Sequence, residues 1–163
     1  MPTVPFTTLP DSARVWVFGS HRPLDDDESA RLIAAVEDFL ARWHAHGSPL
    51  HNSYDWREGR FLTIAVDQST VGASGCSIDG LYRSLRSLEE AIGTTILDGN
   101  LAFYRDAESG VIGVPRPDFR KLARDGKVGP DTTVFDLSVE NLGEWRSRME
   151  GPARDSWHAS LLP

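Results

Sequence analysis

The stretch GASGCSIDG, residues 72 to 80, holds the one thiol of the chain, Cys76. If a helix begins near Ser74 or Ser77, the thiol lies within a turn of unpaired backbone N–H groups. That end carries about half a positive charge, which favours thiolate. Gly72, Ala73, Ser74 and Gly75 would let a ligand come close, and the amides could receive an oxyanion. These are the ingredients of a nucleophile. They are also those of a small buried residue at a turn, with Ser74 or Ser77 as the helix cap.

A nucleophilic thiol needs a base. The candidates are His21, His44, His46, His51 and His158. His46 stands beside Gly47 at the expected end of the first helix, where the negative dipole favours imidazolium. His44, two positions earlier, points to the other side of the apolar stripe. His158, in DSWH, could close over a site from the tail. Asp79 could orient such a histidine, but a carboxylate in a first helical turn is favourable without any chemistry. Arg22 follows the first strand and could clamp a carboxylate or phosphate.

Two functions follow. The preferred one is a ligand- or protein-binding module whose site is the Gly72–Asp79 loop. Ser74, Gly75 and Ser77 offer N–H groups there, and Arg22, Asp79 and Trp157 complete the surface. The alternative is a cysteine-dependent hydrolase or transferase with Cys76 as nucleophile and His46 or His158 as base. The two differ in whether Cys76→Ser leaves function intact. One cysteine with scattered histidines lacks structural-zinc spacing, so neither a metal nor a cofactor is expected.

Composition narrows the partners. A net charge of −7 opposes nucleic acid, which needs a clustered basic face. A lone cysteine excludes an intramolecular disulfide and fits a reducing, cytoplasmic location. The first residues lack the basic-then-apolar pattern of a secretory signal, and no run of 18 apolar residues suggests a membrane span. Neither Lys121 nor Lys127 follows a GxxxxGK[ST] loop, which excludes ATP hydrolysis by a P-loop.

Hydrophobic periodicity sets the frame. RVWVFGS (14–20) reads as a strand ending at Gly19. Asp25 and Glu28 have capping-box spacing, and Leu32, Ile33, Val36, Phe39, Leu40 and Trp43 form one helical stripe, stopped by Gly47 and Pro49. LHNSYDWR alternates, EG at 58–59 turns, and RFLTIAV is a more buried partner strand. Ile78, Leu81, Leu85, Leu88 and Ile92 predict a second helix stopped by Gly93, before the strand LAFYR (101–105). The order β-α-β-β-α-β predicts an α+β protein with a ferredoxin-like core over 1–106. Residues 107–163 form an extension packed on it: a hairpin turning at Ser109-Gly110, a helix from Pro117 to Gly126, the strand TTVFDL and a last helix.

Several landmarks carry a resemblance over nearly the whole chain: RVWVFGSHR (14–22), RWHAHG (42–47), GASGCSID (72–79), GKVGPDTTVF (126–135) and DSWH (155–158). Together they resemble a family of small, uncharacterised bacterial proteins of Bacteroidetes type, with SGCSID the most specific element. The chain departs from that pattern at His21, where Asn is expected, and at His44, where Thr is expected. The resemblance implies no activity. Members sometimes bear the label "ABC transporter ATPase", which the missing phosphate loop opposes. FRKLARDGKVGPDTTVF is also loosely similar to a GYF-like adaptor module.

Overall fold

The computed structural model describes residues 4–45, 47–69 and 72–163. Strand β1 (Arg14–Gly19) leads into helix α1 (Asp26–Ala41). The capping box forms as its spacing predicts: the Glu28 N–H donates to Asp25 at 2.8 Å, and the Asp25 N–H donates to Glu28 at 3.1 Å. The helix ends sooner than its apolar stripe implies. Trp43 lies beyond the last turn, yet stays buried, with its indole N–H donating to the Ser77 carbonyl at 2.7 Å. His44 therefore sits on a two-residue strand, β2 (His44–Ala45), which pairs with β3 (Ser48–Pro49).

β4 (Asn52–Arg57) and β5 (Phe61–Val66) form the expected hairpin, with Glu58 and Gly59 both at φ 61°. The Arg60 N–H closes this turn on the Arg57 carbonyl at 3.0 Å, and because the register pairs Arg57 with Phe61, Arg60 is an extra residue in a three-residue loop. Helix α2 (Gly75–Ile92) buries Leu81, Leu85, Leu88 and Ile92, and Gly93 ends it at φ 79°. The chain continues through β6 (Leu101–Asp106), β7 (Gly110–Pro115), α3 (Arg116–Arg124), β8 (Thr133–Phe135), α4 (Leu142–Arg148) and β9 (Glu150–Pro152), then short 3₁₀ turns.

These elements make a mixed α+β fold with two main antiparallel sheets, ordered β1-β5-β4 and β7-β6-β8-β9. In the first, β5 lies antiparallel between β1 and β4, so β1 and β4 run parallel. β6 hydrogen-bonds to β7 and β8 and not to β1. Residues 106 and 107, where the sequence places the junction between core and extension, fall at the β6–β7 turn.

Side-chain alternation explains the layering. Phe18, Leu62, Ile64 and Val66 face α1 and α2. The opposite face sends Phe61 against Phe103 and Phe135 of the second sheet and Met149 at the end of α4. That sheet's outer face packs Ala102, Tyr104 and Val134 against Phe119 of α3 and Leu161 of the tail. The stack is helix, sheet, sheet, helix, so β5 is buried at every residue.

Phe103 is the tightest point between the sheets. A Cβ at Gly19 would stand 2.7 Å from its ring carbons, and one at Gly113 would do the same from the other side. The ring is 2 % exposed and meets Phe61 edge-on at 5.1 Å, so it cannot swing into solvent. Gly19→Ala is therefore expected to destabilise by about 2 kcal/mol, the usual cost of an overpacked core. In urea denaturation, Phe103→Leu should restore part of that loss in the double variant while costing stability alone. Equal losses for Gly19→Ala in both backgrounds would show that Phe103 is not the obstacle.

Candidate functional site

The GASGCSID stretch folds as the cap of α2. Ser74 is the N-cap; its hydroxyl accepts the Ser77 N–H at 3.2 Å, and the Ser77 hydroxyl accepts the Ser74 N–H at 2.7 Å. Two N–H groups expected to face a ligand are thus used within the chain. Ser77 is buried under Trp43, whereas Gly75, Cys76 and Asp79 are exposed. A Cβ at Gly72 or Gly75 would meet nothing within 4 Å, so neither glycine serves a close contact inside the protein.

Of the two proposed bases, the structure describes only His158, which does not join this thiol. His46 lies outside the described residues. His158 is fully buried on the far side of the molecule, between Phe119 of α3 and a stacked Trp157, with ring centroids 3.9 Å apart. Both sheets stand between it and α2, and stacked sheets alone are about 10 Å apart. Among the described residues no histidine hydrogen-bonds to Cys76. Burial lowers the His158 pKa to about 4; Arg116 adds to the shift and Asp136 opposes it. A histidine neutral for that reason is a core residue. The sequence allowed it to be a catalytic base, and the packing corrects that expectation.

Arg22 does clamp a carboxylate, but the carboxylate is Glu28 at the start of α1, at 2.8 and 2.5 Å. That hydrogen bond, then the Asp25 N–H, holds the Glu28 pKa down at about 2. Arg22 also donates to the carbonyl of Ile92, at the opposite end of α2 from Cys76. Sixteen residues of helix separate the two ends, about 24 Å.

Trp157 lines a groove that the sequence did not reveal, and Asp79 borders a separate hollow that meets it only at Tyr82. After β8 the chain crosses between the sheets and meets β1 in one bridge, Arg14 to Asn141. The Val15 N–H donates to the Glu140 carbonyl at 3.0 Å, and beyond that point the two segments separate. A concavity of about 640 Å³ opens along Trp16, Phe18, Leu137 and Tyr82. A second, of about 180 Å³, shares Val17, Phe18 and Leu137 with it and ends at Arg116 and Trp157. The hollow that Asp79 borders is shallower and includes Tyr82, Arg83 and Arg86.

The edge of β1 has no strand partner between Val15, whose N–H donates to Glu140, and His21, whose N–H donates to the Thr95 carbonyl at 3.0 Å, and Gly19 within that gap is buried. Ser20 donates to Arg60 of the hairpin and Val15 to Glu140 on the other side. Alternation therefore aims the N–H and C=O of Val17 and Gly19 away from β5 and into the groove. Among the described residues neither N–H has a backbone partner. Edge strands are normally blunted by charge, proline or bulges. The β4 edge follows that rule with an Asp55–Arg57 ion pair at 2.6 Å, whereas Trp16–Gly19 carries neither charge nor proline. The signal VWVFG was visible in the sequence, but its place at an edge was not.

This architecture defines a layered α+β protein with an open sheet edge recessed between its sheets. Comparison with known protein families, with curated proteins and with solved structures finds no match to the chain. None of the described helices is long and apolar enough to cross a membrane.

Proposed function

We propose that the protein is a polypeptide-binding module that takes an extended segment along the β1 edge. The observation that carries this reading is the pair of unpartnered backbone sites at Val17 and Gly19, facing a groove whose larger part, by Trp16 and Tyr82, presents mainly polar surface and whose smaller part, by Trp157, is mainly apolar. Strand addition of this kind draws affinity from main-chain hydrogen bonds and specificity from pockets for alternate side chains. The sheet order supports it further. In a ferredoxin-like sheet a fourth strand lies beside β1; here β6 lies in the other sheet, and that edge is met only by the Arg14–Asn141 bridge and the Thr95 carbonyl. The Gly72–Asp79 stretch contributes through the cap that fixes α2, and Trp157 closes the other end.

The test uses an acetylated and amidated Thr-Val repeat peptide, followed by amide NMR. Binding should shift the Val17 and Gly19 amides and slow their hydrogen exchange, while Tyr54 and Trp56 on the β4 edge stay unchanged. Val17→Pro removes one edge donor without touching a β1–β5 bond and should abolish binding in a protein that still unfolds cooperatively. Shifts confined to residues 72–79 or to the β4 edge would overturn the reading. Methylating alternate peptide nitrogens gives a second control, because only one of the two alternating patterns should block binding.

A further inference from the structure

Among the described residues, Arg14, Arg31, Arg60, Arg83, Arg86 and the three arginines of α3 contact no carboxylate, and the α3 three share one short segment, residues 116–127, with two lysines. Arg22, Arg42, Arg57, Arg105, Arg146, Arg148 and Arg154 each contact a carboxylate. Arg116, Arg120 and Arg124 on α3 do not pair with any carboxylate among the described residues, and all three are exposed. Residues 116–127 hold five cations and two carboxylates in a chain of net charge −7, so the rest of the molecule carries −10. A basic helix on an acidic body is a local feature that composition conceals.

Helix stability does not account for the stripe. Arg124 in the last turn suits the negative end of the dipole, but Arg116 opens the helix at its positive end. Like charges at i, i+4 disfavour the helix as well. Arg116 is held in place by the Trp157 ring, its guanidinium carbon 4.6 Å from the centroid. The stripe is thus ordered at the end that adjoins the groove. Lys121 and Lys127 belong to a different hollow, shared with Asp118 and Asp125.

We propose that the Arg116–Arg120–Arg124 stripe docks an acidic polypeptide segment with carboxylates on alternate residues. The spacing fixes the pattern. Helical residues four apart are about 6 Å apart along the axis. In an extended chain, side chains two apart share a face at about 6.6 Å. Three carboxylates in the order acidic-x-acidic-x-acidic therefore meet the three guanidinium groups in register, each with fork geometry suited to carboxylate. The charge of the remaining body favours a short acidic segment over a long polyanion, which would run onto repelling surface. The stripe stands apart from the strand-binding reading, although Arg116 borders both sites.

The test compares two fluorescent peptides of equal charge, Glu-Thr-Glu-Thr-Glu and Glu-Glu-Glu-Thr-Thr, by anisotropy at low and at physiological salt. The alternating peptide should bind about fivefold more tightly or better, weaken as salt rises, and shift the amides of α3. Arg120→Glu with Arg124→Glu should reduce its affinity by about tenfold or more, and Arg120→Gln with Arg124→Gln by less. Both side chains replaced are exposed, and an unchanged thermal midpoint will show that the fold is kept. Val17→Pro should leave this binding intact, which separates failure of the stripe from failure of the groove. Equal affinity for the two peptides, insensitivity to the double replacements, or tighter binding of oligouridylate RNA or phosphatidylserine vesicles would overturn the proposal.

Discussion

Arg60→Met will cost the fold about 4 kcal/mol. Arg60 is 5 % exposed and contacts no carboxylate among the described residues. Its charge is met instead by three backbone carbonyls: Ser20 at 3.2 Å, His21 at 2.6 Å and Val111 at 2.6 Å. Ser20 and His21 follow β1, and Val111 lies in β7, so one guanidinium ties the end of the first sheet to the second. Burial lowers its pKa below the ordinary arginine value. Methionine keeps much of the stem and its packing over the Phe103 ring, but it removes every donor. Each hydrogen bond to a charged donor is worth about 1.5–3 kcal/mol, and the carbonyls left behind are poorly hydrated. In a domain of this size the thermal midpoint should fall by about 10 °C. Arg60→Lys should recover only part of the loss, because an ammonium does not reproduce the planar fork. A loss under about 1 kcal/mol for methionine, measured by denaturant unfolding, would show that water satisfies those carbonyls and that Arg60 is no clamp.

Arg60 also marks where sequence reading ran out. Local signals were legible: the Asp25–Glu28 capping box, the Glu58-Gly59 turn and the Gly93 stop all occur where spacing and residue type place them. Each depends on atoms within a few residues. Alternation likewise showed which side of β4 meets the helices, with Leu50, Tyr54 and Trp56 in one cluster. Long-range pairing was not legible. Leu101–Asp106 is apolar enough for a middle strand in either sheet, and only its partners decide that β6 lies between β7 and β8. Arg60 begins a hydrophobic strand in the sequence and gives no sign that its charge is buried. The Gly72–Asp79 stretch is ambiguous for a related reason. SGCSID combines small residues and a thiol in a way that suits a reactive loop, but the same hydroxyls suffice to cap a helix. The groove needs two segments, Trp16–Gly19 and residues 137–141, that are far apart in the chain and carry no motif.

His158 makes the sharpest expectation about pH. Its ring is fully buried, its Nδ1 lies 2.8 Å from the Ser156 hydroxyl, and its Nε2 has no hydrogen-bond partner. The Ser156 hydroxyl also donates to the Ala153 carbonyl at 3.2 Å, so the tautomer that satisfies both carries its proton on Nδ1. Protonating Nε2 would then bury an unmet donor and a charge beside Phe119 and Trp157. Desolvation accordingly lowers the pKa from 6.5 to about 4, with Arg116 adding to the shift and the Asp136 carboxylate opposing it. The unfolded chain binds this proton first, so stability is full above pH 6.5 and falls as the pH drops towards 4. The whole loss is about 3 kcal/mol, and about 2 kcal/mol of it is spent by pH 5. Paired carboxylates lose their contribution in a lower window, because Glu28 and Glu144 have lowered values and titrate in the unfolded chain only near pH 4.5. His158→Phe keeps an aromatic ring between Trp157 and Phe119 and cannot take a proton. Whatever it does to stability at pH 7.5, its unfolding free energy should lose about 2 kcal/mol less between pH 7 and pH 5 than the native chain does. Equal slopes for the two proteins over that window would mean that His158 gains a partner or water on protonation, and that the tail opens to admit it.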